Sequence, residues 1–464
     1  MHAVILGAGI SGLASAYYLR QQHPDWKLTL LEKDSRVGGK IHTVVQDGYL
    51  FEFGPRSIRP KGAGVHVIEL AQELGLESEI LLPEAVAKKR YLYLNGKLTK
   101  VPNHPLKLLL SPAAQGWWQA MRRDWSVKAG PRPDESVEAF CLRHFGRTVT
   151  ENLIDPFMTG IRCGDMSRLS VQASLPSFSR LEAQYGSLIK GFFKERSRST
   201  SVDRKNAVYQ ADLISFKHGL GQLVQALTDR LASKLKINTA VQKIEKNQGG
   251  FCLMLSTQQT LECDLIISTI PSHQLSGIVM DMAPALASAL QKILYAPIAV
   301  VSLAYAKKAH DYQGFGYLVP HKEGQDILGV SWNEQSFRQH APADSNVLSV
   351  MIGGPRFKNF HVYRENNFID MALKAARTHM GITQKPAIQQ CRILTHALPQ
   401  YNLGHNQIVQ DIRRHTPKNF YVLGNFIDGV GIPDIVRNAK NFCAQLKVDN
   451  VSAPQDKMLE PVHS

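Results

Sequence analysis

Near its start the chain carries Gly7-Ala8-Gly9-Ile10-Ser11-Gly12, three glycines at a spacing that lets backbone amides close around a phosphate. The apolar run Ala3-Val4-Ile5-Leu6 precedes it and suits a buried parallel strand. Leu13, Ala14, Ala16, Tyr17 and Leu19 follow at helical spacing. In that context Gly7 permits the tight turn, Gly9 the close approach of a pyrophosphate, and Gly12 the packing of helix on strand. The helix N-terminus adds unpaired N–H groups and the positive end of its dipole. A second strand, Lys27-Leu28-Thr29-Leu30-Leu31, ends at Glu32. That carboxylate lies about 20 residues past the last glycine, where one is expected to take the hydroxyls of an adenosine ribose. The chemistry these residues point to is dinucleotide binding.

Directly after Glu32 come Arg36-Val37-Gly38-Gly39 and Lys40, then Asp47-Gly48-Tyr49-Leu50-Phe51-Glu52-Phe53-Gly54-Pro55-Arg56-Ser57. A glycine pair brings N–H groups close to a second stretch of phosphate or ribityl chain. Together these segments resemble the flavin amine oxidase superfamily, whose members bind FAD and oxidise C–H bonds beside nitrogen. The resemblance continues at the far end. There Phe420-Tyr421-Val422-Leu423 runs into Gly424-Asn425, and Gly429-Val430-Gly431-Ile432-Pro433-Asp434 opens an amphipathic helix carrying Ile435, Val436, Ala439, Phe442 and Leu446. Cys263 to Pro271 resembles the superfamily's returning strand, with Thr239-Ala240-Val241 just before it. The resemblance implies FAD contacts from Gly7, Ala8, Gly9, Ile10, Ser11, Gly12, Glu32, Arg36, Gly39, Lys40, Gly54, Pro55, Arg56, Ser57, Val241, Asn425, Val430, Gly431 and Ile432. It also implies that the last helix aims its positive end at the flavin pyrimidine ring, favouring the anionic reduced form. No Cys or His occupies an attachment motif, so the FAD is expected to be non-covalent.

Within the superfamily, Gly54-Pro55-Arg56-Ser57-Ile58-Arg59-Pro60 resembles the oxygen-dependent, FAD-containing protoporphyrinogen oxidases more than the monoamine oxidases. So do Lys89-Arg90-Tyr91-Leu92-Tyr93, Phe157-Met158-Thr159-Gly160-Ile161, Gly314-Phe315-Gly316-Tyr317-Leu318-Val319-Pro320, Val350-Met351-Ile352-Gly353-Gly354 and Leu398-Pro399-Gln400-Tyr401. The implied reaction removes six electrons from a porphyrinogen in three two-electron steps, with molecular oxygen as acceptor. It calls for no strong general base, and its product passes to the next enzyme of heme biosynthesis. By the same resemblance Phe315, Leu318 and Met351 surround the macrocycle, Gly160 leaves room beside it, and Arg90 anchors a propionate. Arg56 lies near both flavin and substrate. Protoporphyrinogen IX is the main substrate expectation and coproporphyrinogen III, with four propionates against two, the alternative. Amine oxidation and a flavin-binding scaffold without catalysis are more distant readings.

These residues must be held by more than one lobe, since 464 residues exceed one ordinary core. The expected class is α/β, α+β overall. A discontinuous Rossmann-type FAD domain takes residues 1–84, 208–277 and 401–449, and a mixed-sheet substrate domain 85–97 and 278–400. A helical lobe spans 98–207, and the tail 450–464 is expected to be disordered. The net charge of +15 favours anionic ligands or surfaces. No Lys/Arg tract marks a nucleic-acid arm. The six cysteines have no close pair and are expected as reduced, buried thiols, with no metal site. Without a secretory signal or a long apolar run the protein is expected in the cytoplasm, any membrane contact being peripheral. Residues 98–130 combine Leu108-Leu109-Leu110, Trp117, Trp118 and Trp125 with Lys107, Arg122, Arg123 and Lys128. Two readings stand open there: a headgroup interface, as the resemblance implies, or an ordinary lobe burying its tryptophans. The basic stretch Lys194 to Ser201 is expected as a mobile surface loop.

Overall fold

The computed structural model describes residues 1–102, 116–198 and 207–446. Lys107, Leu108-Leu109-Leu110, residues 199–201 and the tail 450–464 lie outside the described residues. Its centre is the strand His2–Leu6, flanked in parallel by Lys27–Leu31 on one side and Leu265–Ser268 on the other. The five-stranded sheet is completed by Leu235–Lys236 and Phe420–Val422, so its order is 420–422, 265–268, 2–6, 27–31, 235–236. Alternate side chains of a strand point to opposite faces. Ala3 and Ile5 therefore join one core, with the helices Ile10–Gln22, Gly221–Leu231 and Ile432–Gln445. Val4 and Leu6 join the other, with Ser272–Val279, Pro284–Gln291 and His405–His415. Burial on both faces is what keeps this strand apolar at every second and every other position. Pro284–Gln291 thus packs with the dinucleotide-type sheet, although sequence assigned it to the substrate domain.

A second, seven-stranded sheet runs in the order 388–399, 295–305, 346–353, 327–332, 316–318, 90–94, 97–101. It continues past residue 97, because Arg90–Leu94 turns back into Lys97–Val101. One face packs Val301, Leu303, Leu348, Val350, Val330, Trp332 and Tyr317 against Phe368, Ala372 and Ala376 of the helix Glu365–Met380. On the opposite face the register aligns Arg392, Val300, Met351, Gly329, Leu318 and Leu92 in one row. The next row is Gln390, Ser302, Ser349, Ser331, Gly316 and Arg90.

The helical lobe contains Trp117–Ser126, Val137–Val149, Asp155–Arg162, Pro176–Tyr185 and Leu188–Arg198. The last of these corrects the expectation of a loop from Lys194. The stretch is helical as far as Arg198, where Glu195 pairs with Arg180 and Phe192 meets Phe178 edge to face. The cysteines also need a correction: Cys252 and Cys391 are half-buried, and only the other four are buried.

The lobe is pinned by a carboxylate with no access to water. Asp124 receives His144 Nδ1 at 2.7 Å, the Ser187 hydroxyl, and the N–H groups of Leu188 at 3.0 Å and Ile189 at 3.1 Å. Burial pushes its pKa up, but these donors outweigh burial and hold it below the ordinary aspartate value. Asp124→Ala leaves His144 Nδ1, the Ser187 hydroxyl and the N–H groups of Leu188 and Ile189 without their shared acceptor. It is expected to lower stability by about 3 kcal/mol, read as a loss of denaturation midpoint without loss of native secondary structure.

Candidate active site

The three glycines of the first turn have different structural reasons. Gly7 takes φ +92°, and its N–H donates to Leu31 O at 2.8 Å. A Cβ on Gly12 would lie 1.8 Å from Gly7 O, so the helix packs here only without a side chain. At Gly9 a Cβ would meet only Gly39 Cα, at 3.9 Å. Nothing in the protein needs glycine there, which leaves the space for a ligand. The turn fits a diphosphate on that ground, with Ile10 and Ser11 opening the helix behind it. Glu32 is buried and fixed, accepting Ala8 N–H at 2.8 Å and Asp34 N–H at 3.0 Å. Its own carbonyl receives Thr239 N–H, which brings the start of the strand Val241–Lys246 beside it.

The second glycine pair meets the first. Gly38 N–H donates to Ala8 O at 2.8 Å, and a Cβ on Gly39 would lie 3.2 Å from Gly9 Cα. Arg36 is turned into its own loop, donating to Val37 O at 2.7 Å, Ile41 O at 2.9 Å and Gly39 O. It braces the turn. Gly54 packs on the same loop, its missing Cβ 1.9 Å from Lys40 O, so Pro55, Arg56 and Ser57 leave from there half-buried. Gly424 to Gly431 leaves the same edge of the sheet, since Phe420–Val422 is parallel to its neighbour and Leu423 N–H reaches Ser268 O. Tyr401 ties that segment down, its hydroxyl donating to Asn425 O at 2.7 Å and receiving Gly429 N–H at 2.9 Å. Val430 and Gly431 stand half-buried before Ile432 and the helix it starts.

Arg56 carries the site to the second sheet. Its Nη1 lies 3.3 Å from Ser331 Oγ and 3.6 Å from Met351 Sδ. Burial lowers its pKa to about 10, opposed by the nearby Glu52 carboxylate. Burial pushes Glu52 up to about 7, against hydrogen bonds from Leu220 N–H at 2.6 Å and the Thr43 hydroxyl at 2.8 Å. Leu318 is wedged between glycines: its Cδ2 stands 2.9 Å from where a Cβ would sit on Gly160 and likewise on Gly329. The room at Gly160 is therefore filled by Leu318, which corrects the expectation of open space beside a ligand. Arg90 is exposed, with its guanidinium 5.2 Å from the centre of the Phe315 ring.

Sequence reasoning missed two cations. Arg162 ends a helix of the lobe, donates to Ser174 O at 2.8 Å and lies 5.3 Å from the Tyr401 ring centre. Arg392 lies in the first row of the sheet, and its Nη1 is buried without a hydrogen-bond partner. Sequence carried no clear signal for Arg392, because Ile388–Pro399 does not alternate cleanly, and only the register says which face it takes. The two rows hold no histidine or carboxylate, so a substrate lying on them meets no proton acceptor from the sheet. A groove of about 580 Å³ lined by Lys89, Tyr91, Lys100, His310 and Tyr312 has its tyrosines in the opposite face's core and takes no part. No group of three metal-binding side chains occurs among the described residues.

The glycines predict two different failures. Gly9→Val is expected to purify folded but colourless, because the valine fills ligand space alone. Gly12→Val is expected not to accumulate as folded protein, because its Cβ collides with backbone. Absorbance near the visible flavin bands and thermal melting separate the two.

Residues 10–446 match the family described as flavin containing amine oxidoreductase. A protoporphyrinogen oxidase of Bos taurus is 32% identical, the alignment covering 96% of this chain and 98% of that protein. A chloroplastic protoporphyrinogen oxidase 1 of Arabidopsis thaliana is 31% identical over 94% of this chain and 86% of its own length. A coproporphyrinogen III oxidase of Bacillus subtilis is 29% identical over 95% and 96%. Among solved structures, a putrescine oxidase variant shares the fold with a TM-score of 0.72 at 15% identity, over 96% of this chain and 98% of that one. The chain belongs to the flavin-containing amine oxidoreductase family and, within it, stands among the relatives of the protoporphyrinogen oxidases.

Proposed function

We propose that the protein oxidises protoporphyrinogen IX to protoporphyrin IX, using a non-covalently held FAD and molecular oxygen. The observation that carries this reading is the stretch Met351, Gly329 and Leu318 of one in-register row, reached by Arg56 at Met351 Sδ, with Arg90 in the adjacent row. Relatives of similar length named as porphyrinogen oxidases support it. Glu32 at the end of the second strand, with Val241 close by, supports an adenine dinucleotide and hence FAD. When bound, the flavin supplies the two-electron acceptor. Three such oxidations convert the porphyrinogen to the porphyrin, and three molecules of oxygen become three of hydrogen peroxide. The chain's own part is to bind and orient. Leu318 and Met351 offer apolar surface to the macrocycle, and Phe315 and Arg90 hold its carboxylate edge. Arg90, exposed at the outer edge of this face, is the anchor this reading gives to a propionate.

The helical lobe supports a further part of the reading, contact with a membrane surface. Among its described residues Trp118 is 62% exposed, Trp125 57%, Phe192 50% and Phe193 70%. Lys190 sits over Trp125 at 4.4 Å from the ring centre. Exposed aromatics beside cations suit the headgroup region of an anionic bilayer. No described helix is long and apolar enough to cross a membrane.

Porphyrin fluorescence in air, after adding protoporphyrinogen IX or coproporphyrinogen III to the purified protein, tests the activity. Faster porphyrin from the first is expected, and equality with autoxidation for both would sink the proposal. Arg90→Ala is expected to raise KM about tenfold, as for loss of a charge-assisted hydrogen bond, with flavin content unchanged. Flavin loss in that variant would remove Arg90 from the substrate edge. In flotation with phosphatidylglycerol-containing vesicles the parent is expected to bind and the Trp118→Ser/Phe193→Ser variant to bind weakly. Equal binding of the two would leave the lobe without a membrane role.

A further inference from the structure

We propose that the Arg392 guanidinium is a cation of the flavin site, placed to stabilise the negative charge that the cofactor carries when reduced. Its position follows from register. Arg392 pairs with Val300, which pairs with Met351, so all three occupy one row on the face that Arg56 touches through Met351 Sδ. Across from that row is the loop of the second glycine pair. Lys40 of this loop donates to His396 O in the same strand as Arg392, Arg36 is a charged neighbour of Arg392, and the His42 ring lies near both. Arg392 therefore lies where the dinucleotide-type turn and the substrate-facing sheet close on each other.

The second observation is that no carboxylate among the described residues balances this cation. Arg392 Nη1 and His42 Nδ1 are both withdrawn from water without a hydrogen-bond partner. The charged groups acting on Arg392, Lys40 and His42 are Arg392 itself and Arg36, and no carboxylate is among them. Burial, then Arg36, lowers Arg392 to about 10. Burial, then Arg392, lowers Lys40 to about 8, and burial, then Arg392 and Arg36, lowers His42 to about 4. Arg36 is spent on its own loop's carbonyls. Clustered cations without a counter-charge are costly in the folded protein, and an arriving anion relieves the cost.

Three anionic groups compete for the role. A diphosphate has its own donors at the glycine turn and helix N-terminus. A substrate carboxylate has Arg90, five strands away in the adjacent row, about 24 Å at the usual strand spacing. A charge on a flavin bound in this cleft would have Arg392 as its nearest uncompensated guanidinium. A fixed cation there raises the reduction potential, because it stabilises the reduced form more than the oxidised.

The inference rests on this cleft being the flavin site, and not on which substrate is oxidised. The test is the flavin midpoint potential of the parent, Arg392→Gln and Arg392→Lys, measured anaerobically against a reference dye at one pH. Arg392→Gln is expected to disfavour reduction about tenfold, which is about 30 mV for a two-electron couple, and Arg392→Lys to stay near the parent. An unchanged potential in Arg392→Gln overturns the inference, and a raised KM beside it would assign Arg392 to the substrate instead. If Arg392→Gln purifies without flavin, its apoprotein is titrated with oxidised and with reduced FAD. Weakening of the reduced form about tenfold beyond the oxidised supports the proposal, and equal weakening overturns it. A parent protein that holds no flavin overturns the reading of the cleft itself, a result distinct from a flavin-bound parent with an insensitive Arg392 variant.

Discussion

Two stretches of backbone meet in this protein with no side chain between them, and the site depends on that contact. Gly9 and Gly39 approach through their Cα atoms, Gly38 N–H closes on Ala8 O, and Arg36 ties the carbonyls of the second loop together. The contact faces a space that a diphosphate fits, so its geometry has to be fixed before any ligand arrives. The five-stranded sheet fixes one partner, because Gly7 follows directly from its central strand. The other partner is fixed by Gly54, whose Cα lies too close to Lys40 O to carry a side chain. From Gly54 the chain runs at once to Arg56 and the second sheet. A backbone contact in one lobe thus sets where the other lobe's face stands.

The second sheet answers with strand register. A slip of one residue in any of its strands would exchange the core face for the ligand face. Wedging resists such a slip: Leu318 fits only because Gly160 and Gly329 lack side chains, and Gly316 lies against Val330 O for the same reason. The helical lobe is held to this sheet by Arg356, which spans Asp155 at 2.9 Å and Asp165 at 3.1 Å. Gly160 comes from the helix that Asp155 begins. Ion pair and wedge therefore act on one helix, and together they set the floor of the row.

Local motifs were legible in the sequence where one short segment contains its own reason. The first glycine turn needs only strand, turn and helix, and each is present within residues 2–22. Glu32 follows from spacing alone. The last helix could be read from Pro433 and its periodic apolar residues, to within a residue at its end. What could not be read depends on partners distant in the chain. Gly160 as a socket for Leu318 joins residues on different lobes. The Lys194–Arg198 end of the Leu188–Arg198 helix was read as a loop because its charges hid its continuity with an apolar edge that packs on Leu181 and Phe178. Arg392 stood in a strand rich in polar residues, where alternation does not say which set faces the ligand.

Two interior arginines of this basic protein are paired: Arg143 lies between Glu135 and Glu182, and Arg356 between two aspartates. Such pairs hold segments together and leave little field beyond themselves. The pair Lys40 and Arg392 differs in having no acid among its charged neighbours, so its potential is not cancelled locally. Separating the two kinds divides the chain's charge by task. Paired cations position the lobes, and the uncompensated set makes the cleft attract negative charge. An oxidant whose sheet offers no base has this as its main electrostatic lever, which eases the arrival of electrons.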